Sequence, residues 1–334
     1  MQHRTTTLFT LLATMVVVLF ALDIAVGSVN IPLSDIWAAF TGGECDPTKA
    51  KIIIDIRLLK AAVAILAGAA LSVSGLQMQT LFRNPLAGPY VLGVSSGASL
   101  GVALFILGAP LMGVASSPLL STLGIAGAAW IGAAGILAVV AAVSRRIKDI
   151  MVILILGMMI GSAVSAVVQV LQYLSNEESL KSFIVWTMGS LGDVSSSQLM
   201  LVAPAIVAGL AVAVAAIKPM NILLLGEAYA RTMGLNIRRT RAMILLSTTL
   251  LAGTITAFCG PIGFIGLAIP HLSRMLFRSA DHRILLPASA LTGSVALLLC
   301  DIGSKLLALP VNTITALLGI PIVVWVVIRN KNIV

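Results

Sequence analysis

The sequence predicts an all-α polytopic membrane protein with about ten transmembrane helices. Of its 334 residues, 59% are hydrophobic and only 10% are charged. Apolar runs of about 18 or more residues recur along the chain, and each is long enough to cross the hydrocarbon core of a bilayer. Because lipid offers no partners to backbone polar groups, we expect these runs to be helices. The whole chain, residues 1–334, is interpreted as one transmembrane domain.

The ten predicted spans follow one another with short polar connections. The third and the eighth are short, and proline flanks or interrupts them, so their ends are the hardest to place. In order, the predicted spans are Leu8–Val26, Ala61–Phe82, Tyr90–Leu107, Ser121–Val143, Ile150–Tyr173, Gln198–Ile217, Ala242–Cys259, Ile262–Phe277, Leu285–Ile302 and Val311–Ile328.

The first span also resembles a secretory signal peptide, because a basic start precedes an apolar run and small residues. Its removal would leave nine spans and place the two termini on opposite sides of the membrane. The second and seventh spans contain "LAGAALSVSG" and "LAGTITAFCG", which share Leu-Ala-Gly and a later Gly. Spans that run in opposite directions and share such a pattern are typical of an inverted repeat, although glycine and alanine are common throughout the chain.

Lysine and arginine predict the orientation. With ten spans, 15 of the 21 basic residues fall on one side of the membrane and six on the other. The positive-inside rule then places both termini in the cytoplasm. The same asymmetry accounts for the net charge of +9, so nucleic acid is not an expected partner.

Several chemistries have no sequence signal. No Gly-Lys dipeptide occurs, which excludes a P-loop. His3, His271 and His282 are scattered, and the three cysteines show neither metal-ligand nor disulfide spacing, so no metal site is expected. Acidic residues avoid the span centres, whereas ion-coupled carriers usually keep an ionisable group there. We therefore expect no enzyme activity and no cofactor in this chain. If the protein moves a solute uphill, we expect another chain to supply the energy.

A polar segment, "LLLGEAYARTMGLNIRRTRAM", interrupts the apolar pattern at Leu223–Met243. Gly226 and Gly234 bracket two predicted helical turns. Glu227 at the start and Arg231 toward the end suit the helix dipole, and their i, i+4 spacing allows them to pair. Gly234 suits a left-handed helix stop. The predicted short helix lies on the cytoplasmic side, within a loop formed by residues 218–241.

Tyr229 and Met233 lie on roughly the opposite face of this helix, and Asn236 is positioned to cap the helix that leads into the seventh span. An ordinary solvated loop is the simpler interpretation. An exposed aromatic and methionine pair opposite an ion pair instead indicates a docking surface.

Six segments, in order along the chain, resemble blocks of the FecCD-type permeases of ABC importers, a family with a common permease fold. They are "RNPLAGPYVLGVSSGASLG" (Arg83–Gly101), "WTMGSLGD" (Trp186–Asp193), "KPMNILLLGEAYARTMGL" (Lys218–Leu235), "GPIGFIGLAIPHLSRMLF" (Gly260–Phe277), "DHRILLPASALTGSVALLLCDIGSK" (Asp281–Lys305) and "LPVNTITALLGIPIVVWVV" (Leu309–Val327).

The resemblance implies ten helices per subunit and a permease dimer, expected to be a homodimer, in the bacterial inner membrane. It also implies two ABC ATPase subunits inside, which bind ATP–Mg, and a periplasmic or surface substrate-binding protein outside. The implied cargo is a metal chelate: a ferric siderophore, haem or cobalamin. From the residues alone, a stand-alone secondary transporter is the alternative, and an intramembrane enzyme lacks a visible catalytic group.

By the same resemblance, the bracketed helix is the element that contacts the ATPase. Tyr229 and Met233 are expected to enter a groove on that subunit. The positions that match the family loop are Gly226, Glu227, Ala230, Arg231 and Gly234.

The turn "RNPLAGP" joins the second and third spans. Pro85 disfavours helical geometry at Asn84, and Pro89 suits the first turn of the next helix. From the residues this is a tight cytoplasmic loop; by resemblance, Asn84 and Leu86 belong to the inner gate. The family often has an acidic residue where Gly88 stands, so a charge-based gate contact is in doubt.

The outer loop, residues 27–60, ends in "RLLK", where the family commonly reads RLPR. Arg57, Lys60 and Lys305 are implied to bind acidic side chains of the binding protein. Lys60 lacks the two-pronged guanidinium that Arg offers. Snorkelling of these side chains to the membrane interface is the alternative.

The fifth span is implied to line the transport pathway at the dimer centre, with Met158, Met159 and Gln169 as lining residues. The pairs Gly97/Gly101 and Gly157/Gly161 have the spacing that permits close helix packing.

Overall fold

The computed structural model describes residues 2–27, 29–43, 45–108, 121–144, 147 and 150–329. Parts of the predicted outer loop and the ends of the predicted domain therefore lie outside the described residues. The described part of the chain is all-helical. Its helices are α1 Gln2–Ala25, α2 Leu33–Thr41, α3 Pro47–Lys51, α4 Leu59–Phe82, α5 Val94–Ala103, α6 Ser121–Ser144, α7 Ile150–Leu174, α8 Glu177–Thr187, α9 Ser196–Ala215, α10 Ile217–Leu223, α11 Glu227–Thr232, α12 Ile237–Thr248, α13 Thr254–Cys259, α14 Ile265–Phe277, α15 His282–Leu307 and α16 Val311–Arg329.

Three π-helical stretches continue these helices. Ile52–Leu58 joins α3 to α4, Leu104–Gly108 extends α5, and Thr249–Gly253 joins α12 to α13. Each of the ten predicted spans thus coincides with a described helix or with helices joined in this way. Five stretches are long and apolar enough to cross a membrane by length and composition: α1, α7, α9, α12 through α13, and α15.

Helix ends differ from the prediction where the backbone turns locally. The third span begins at Val94 rather than Tyr90, because Gly93 adopts φ 77° and the preceding residues form turns. The eighth begins at Ile265, after Phe264 at φ 64°. The ninth span is longer than predicted: Asp281 caps its start, and Ala308 ends it in the left-handed region.

Helix α4 lies at the centre of the bundle, packed against α15, α14, α9 and α12. Small residues allow the helix backbones to approach closely. A Cβ atom added to Gly75 would lie 1.7 Å from the carbonyl oxygen of Gly266 on α14, and one added to Gly68 would lie 2.3 Å from that of Gly293 on α15. The core is therefore built on contacts that tolerate no side chain.

The same arrangement joins α5 to α6. A Cβ added to Gly97 would lie 2.5 Å from the oxygen of Gly132, and one added to Gly101 would lie 1.9 Å from that of Ala128. The predicted close packing at Gly97 and Gly101 is confirmed. Gly157 of the second pair faces Leu92, whose Cα would lie 3.1 Å from an added Cβ.

Helix α1 is part of the packed bundle. It contacts α15 along its length, and the ring of Phe9 lies 4.8 Å from that of Phe277 at the end of α14. Leu12 is buried in the same cluster. These contacts favour a retained first span over a cleaved signal peptide, while the inverted repeat stays a prediction.

Candidate functional site

The polar segment between the sixth and seventh spans is mostly helical rather than an open loop. Helix α10 leads into α11 through Leu224 and Leu225, and α11 begins after Gly226. Gly226 adopts φ 100° and Gly234 φ 80°, conformations that favour glycine at both ends of α11. The predicted short helix, tight turn and second helix are confirmed, and the side chain of Asn236 accepts a hydrogen bond from the Arg239 backbone at the start of α12.

The faces of α11 differ sharply in exposure. Ala230 is fully buried, and its carbonyl accepts a 3.0 Å hydrogen bond from the Leu235 amide, which closes the turn. Tyr229 and Met233 are 58% and 55% exposed. A rigid two-turn helix therefore presents an aromatic ring and a thioether to its surroundings.

Glu227 holds this helix against the next one. It lies 3.8 Å from Arg231, as the spacing predicts, and forms a closer ion pair with Arg241 of α12. The Arg241 contact crosses the turn, so helical spacing within α11 gives no signal for it. Both Arg241 and Glu227 are mostly buried, which restricts how α11 can move relative to α12.

The turn after α4 lies beside this segment. Arg83 ends α4 in the left-handed region at φ 48°, and the Asn84 side chain accepts a 2.9 Å hydrogen bond from the Leu86 amide. A Cβ added to Gly226 would lie 3.4 Å from Nη1 of Arg83. The structure thus brings the predicted gate residues, Asn84 and the exposed Leu86, next to the predicted ATPase-contacting helix, an adjacency that the sequence analysis missed.

On the outer side, Arg57 is buried within the chain. Its Nη1 donates hydrogen bonds to the carbonyl oxygens of Ile24 at 3.0 Å and Ala25 at 2.9 Å, and its Nη2 donates to that of Val29. Only 4% of Arg57 is exposed. The guanidinium therefore joins the outer end of α1 to the segment that enters α4.

Lys305 and Lys60 belong to a buried charge cluster with two carboxylates, Asp23 of α1 and Asp301 of α15. Lys305 Nζ lies 3.0 Å from an oxygen of each carboxylate and donates a 2.8 Å hydrogen bond to the Asp23 carbonyl. Lys60 Nζ lies 3.0 Å from Asp301. Both carboxylates are fully buried.

The predicted docking role needs these cations at the surface. Arg57 bonds backbone carbonyls and Lys305 is ion-paired inside the chain, so their burial disfavours this role, which stays a prediction. The Lys60 side chain keeps 21% exposure, so its contact with a binding protein stays a prediction. From the sequence, the acidic residues were expected only to avoid the span centres, and their pairing with these cations was not predicted.

A groove of about 750 Å³ runs along α7 and faces the start of α5. Met158 and Gln169 line it, whereas Met159 is 67% exposed and is not among the lining residues, and the pathway role of all three stays a prediction. Ser162 and Ser165 lie between them on the same helical stripe. Each hydroxyl donates to a backbone carbonyl one turn earlier, at 3.0 and 2.9 Å. The groove wall is therefore uncharged and mixes polar with apolar side chains, and the 4-3-4 spacing of this stripe is the signal that could have identified the two serines.

Both the sequence and the fold of this chain match those of known proteins. The sequence profile of the FecCD transport family matches residues 15–329. The chain belongs to the FecCD transport family. This FecCD chain is accordingly a multi-pass membrane protein of the ABC transporter permease type, as the sequence predicted.

Individual relatives support the assignment. The chain is 37% identical over 315 residues to the hemin transport system permease protein HmuU of Yersinia pestis, covering 92% of this chain and 90% of that protein. It is 38% identical over 281 residues to the vitamin B12 import system permease protein BtuC of Salmonella arizonae, covering 83% of each.

A solved structure has the same fold. It is described as an inward-facing conformation of a metal-chelate type ABC transporter, and it matches with a TM-score of 0.83 at 29% identity. The match covers 97% of this chain and 99% of the other. The predicted fold is therefore confirmed for the FecCD chain.

Proposed function

We propose that this chain is the membrane-spanning permease subunit of an ABC importer that moves a metal chelate inward. Two copies would form the channel, and two separate ATPase subunits, which bind ATP–Mg, would drive it from the cytoplasm. A binding protein would deliver the cargo outside. The relatives whose names specify hemin and vitamin B12 support a ferric siderophore, haem or cobalamin as cargo.

One observation carries this proposal. In this FecCD chain, α11 exposes Tyr229 and Met233, while the buried Ala230 and the Glu227–Arg241 ion pair hold the helix against the bundle. Exposed aromatic and methionine side chains are typical of protein contacts. The helix is therefore suited to fit a groove on the ATPase and to move with it as a rigid body.

The proposed setting is the bacterial inner membrane with both termini in the cytoplasm. The excess of lysine and arginine on the side that carries α11 supports this orientation. The uncharged wall of the α7 groove supports passage of a bulky chelate that is not held by charge.

The test is to purify the chain with its ATPase after the double substitution Tyr229→Asp and Met233→Asp. We expect the ATPase to be lost, because two carboxylates would have to be desolvated in the interface. The matched control is Leu33→Asp with Trp37→Asp, which changes two residues of the same spacing that are 73% and 72% exposed on α2 of the outer loop. The control should keep the ATPase.

Copurification of the ATPase with the Tyr229→Asp and Met233→Asp protein would contradict the contact. Haemin or cyanocobalamin uptake into proteoliposomes that needs no ATPase, or that follows an ion gradient, would contradict the proposed function and favour a stand-alone transporter.

A further inference from the structure

A chain of hydrogen-bonded polar side chains, of which Thr80 and His282 are buried, connects the α10–α11 segment to the inner end of α4. Thr80 Oγ1 lies 2.7 Å from Nε2 of His282, the first residue of α15. Nδ1 of His282 lies 2.7 Å from Oδ1 of Asn221 on α10. Asn221 Nδ2 donates a 2.6 Å hydrogen bond to Asp281. We call Thr80, His282, Asn221 and Asp281 the inner relay.

The bonding pattern fixes the direction of the hydrogen bonds that Asn221 makes. Oδ1 of Asn221 also accepts a 2.9 Å hydrogen bond from the His282 backbone amide, so this atom acts as the acceptor for the ring as well. Nδ1 of His282 is therefore the donor. Nε2 of the neutral ring is then an acceptor, and the Thr80 hydroxyl has one proton to share between this nitrogen at 2.7 Å and the Leu76 carbonyl at 2.9 Å. Every member of the relay is oriented by the next, and His282 is only 1% exposed.

The residue before Thr80 begins a second set of contacts, which reaches the predicted gate turn. Gln79 Nε2 donates to the Leu267 carbonyl at 3.0 Å, and Arg274 donates to Gln79 Oε1 at 2.5 Å. One turn earlier on α14, His271 Nε2 donates to the Pro85 carbonyl at 2.6 Å. The backbone amide of Asn84 donates a 3.2 Å hydrogen bond to the backbone carbonyl of Gln79.

The other end of the relay is held tightly to α11. Met220 and Leu223, on either side of Asn221, are buried, and the Gly226 amide donates a 2.9 Å hydrogen bond to the Leu223 carbonyl. A displacement of α11 therefore carries α10 and Asn221 with it. Apolar neighbours can slide past one another at small cost, but a buried hydrogen bond is either made or lost.

We infer that Asn221 and His282 are positioning residues through which movement of α11 reaches the inner end of α4 and, through Gln79, the turn that carries Asn84 and Leu86. The inference rests on the proposed function, since that function supplies the force on α11. It assigns the transmission to Asn221 and His282 rather than to the exposed Tyr229 and Met233.

The experiment measures how nucleotide changes the gate turn in the permease–ATPase complex. Leu86→Cys is introduced into a chain that carries Cys45→Ser, Cys259→Ala and Cys300→Ala. The rate at which fluorescein maleimide labels the introduced thiol is compared with and without ATP and vanadate. We expect nucleotide to change this rate about fivefold or more in the reference protein, within the usual range of coupling between sites.

Asn221→Ala and His282→Gln should each abolish the nucleotide response of the label at position 86 while the ATPase still copurifies. Asn221 is only half-buried, so its replacement by Ala keeps the test valid if the His282 variant fails to fold. The matched control is Ser294→Ala, which removes a buried 2.9 Å hydrogen bond between α15 and the Ile65 carbonyl of α4 outside the relay. This control should keep the response.

A response in Asn221→Ala and His282→Gln as large as that of Ser294→Ala would overturn the relay and leave the proposed function intact. A reference protein that copurifies no ATPase would overturn the proposed function, and the relay with it. Restored chelate uptake in Asn221→Gln, compared with Asn221→Ala, would further support the relay over a general loss of packing.

Discussion

Replacing Lys305 by Met leaves the carboxylate of Asp23 without its ion-pair partner. Lys305 contacts Asp23 through both the carboxylate, at 3.0 Å, and the carbonyl, at 2.8 Å. Asp301 differs, because it would keep Lys60 at 3.0 Å. Methionine has a similar unbranched length, so the change removes the charge and little volume.

The magnitude follows from burial. Asp23 and Asp301 are fully buried, and removing one partner from such a pair costs about 3–5 kcal/mol, because a charge is left uncompensated. Lys60→Met should cost less, since Lys60 is partly solvated and Lys305 stays within 3.0 Å of both carboxylates. Adding Asp23→Asn to Lys305→Met should recover most of the loss, because the buried group is then neutral.

Thermal unfolding of the purified protein can be followed with a thiol-reactive fluorophore. Cys259 is only 2% exposed and lies on α13, so its labelling reports the opening of the fold. Cys45→Ser and Cys300→Ala would be made in every variant so that Cys259 alone reacts. The reasoning is refuted if Lys305→Met destabilises no more than Lys60→Met, or if Asp23→Asn gives no rescue.

Two further predictions concern packing and pH. Gly75→Ala should destabilise the protein by about 1–3 kcal/mol or more, because its Cβ would lie 1.7 Å from a backbone oxygen. Gly253→Ala, whose Cβ would lie 3.6 Å from Thr249, should be neutral or stabilising in the same unfolding assay. Hydrogen bonds from the Arg283 amide and the Asn221 side chain lower the pKa of Asp281 below its ordinary value of 3.8. Because the folded pKa is the lower one, this stabilisation is present above pH 3.8 and is lost as the pH falls through the folded pKa. The unfolding midpoints of wild type and Asp281→Asn should therefore differ most near neutral pH and converge in acid; a constant difference would contradict this reasoning.

The helices themselves could be predicted from the sequence because hydropathy and capping act locally. Gly226, Gly234 and Asn236 each fix the backbone near their own position, and α11 and α12 follow the predicted pattern. The conformation of Phe264, at φ 64°, could not be predicted in this way. A bulky residue rarely adopts it, and the sequence carries no signal for it.

Contacts between distant segments could not be predicted in the same way. Asp23 and Lys305 lie near opposite ends of the chain, and their pairing follows from the packing of α1 against α15. A lone basic residue near a span end has the same appearance whether it faces water or a buried carboxylate. For the same reason the pairing of Glu227 with Arg241 required the structure, while its pairing with Arg231 did not.

The small size of α11 has a consequence for how a partner subunit assembles with this chain. Six residues cannot sustain a helix in water, where isolated helices shorter than about 12–15 residues are marginal. Here the buried Ala230 and the contact with Arg241 hold the shape in advance. A subunit that docks on α11 as proposed would therefore meet a preformed helix and would lose little binding free energy to ordering its backbone. Its association rate should depend on collision and orientation rather than on a folding step.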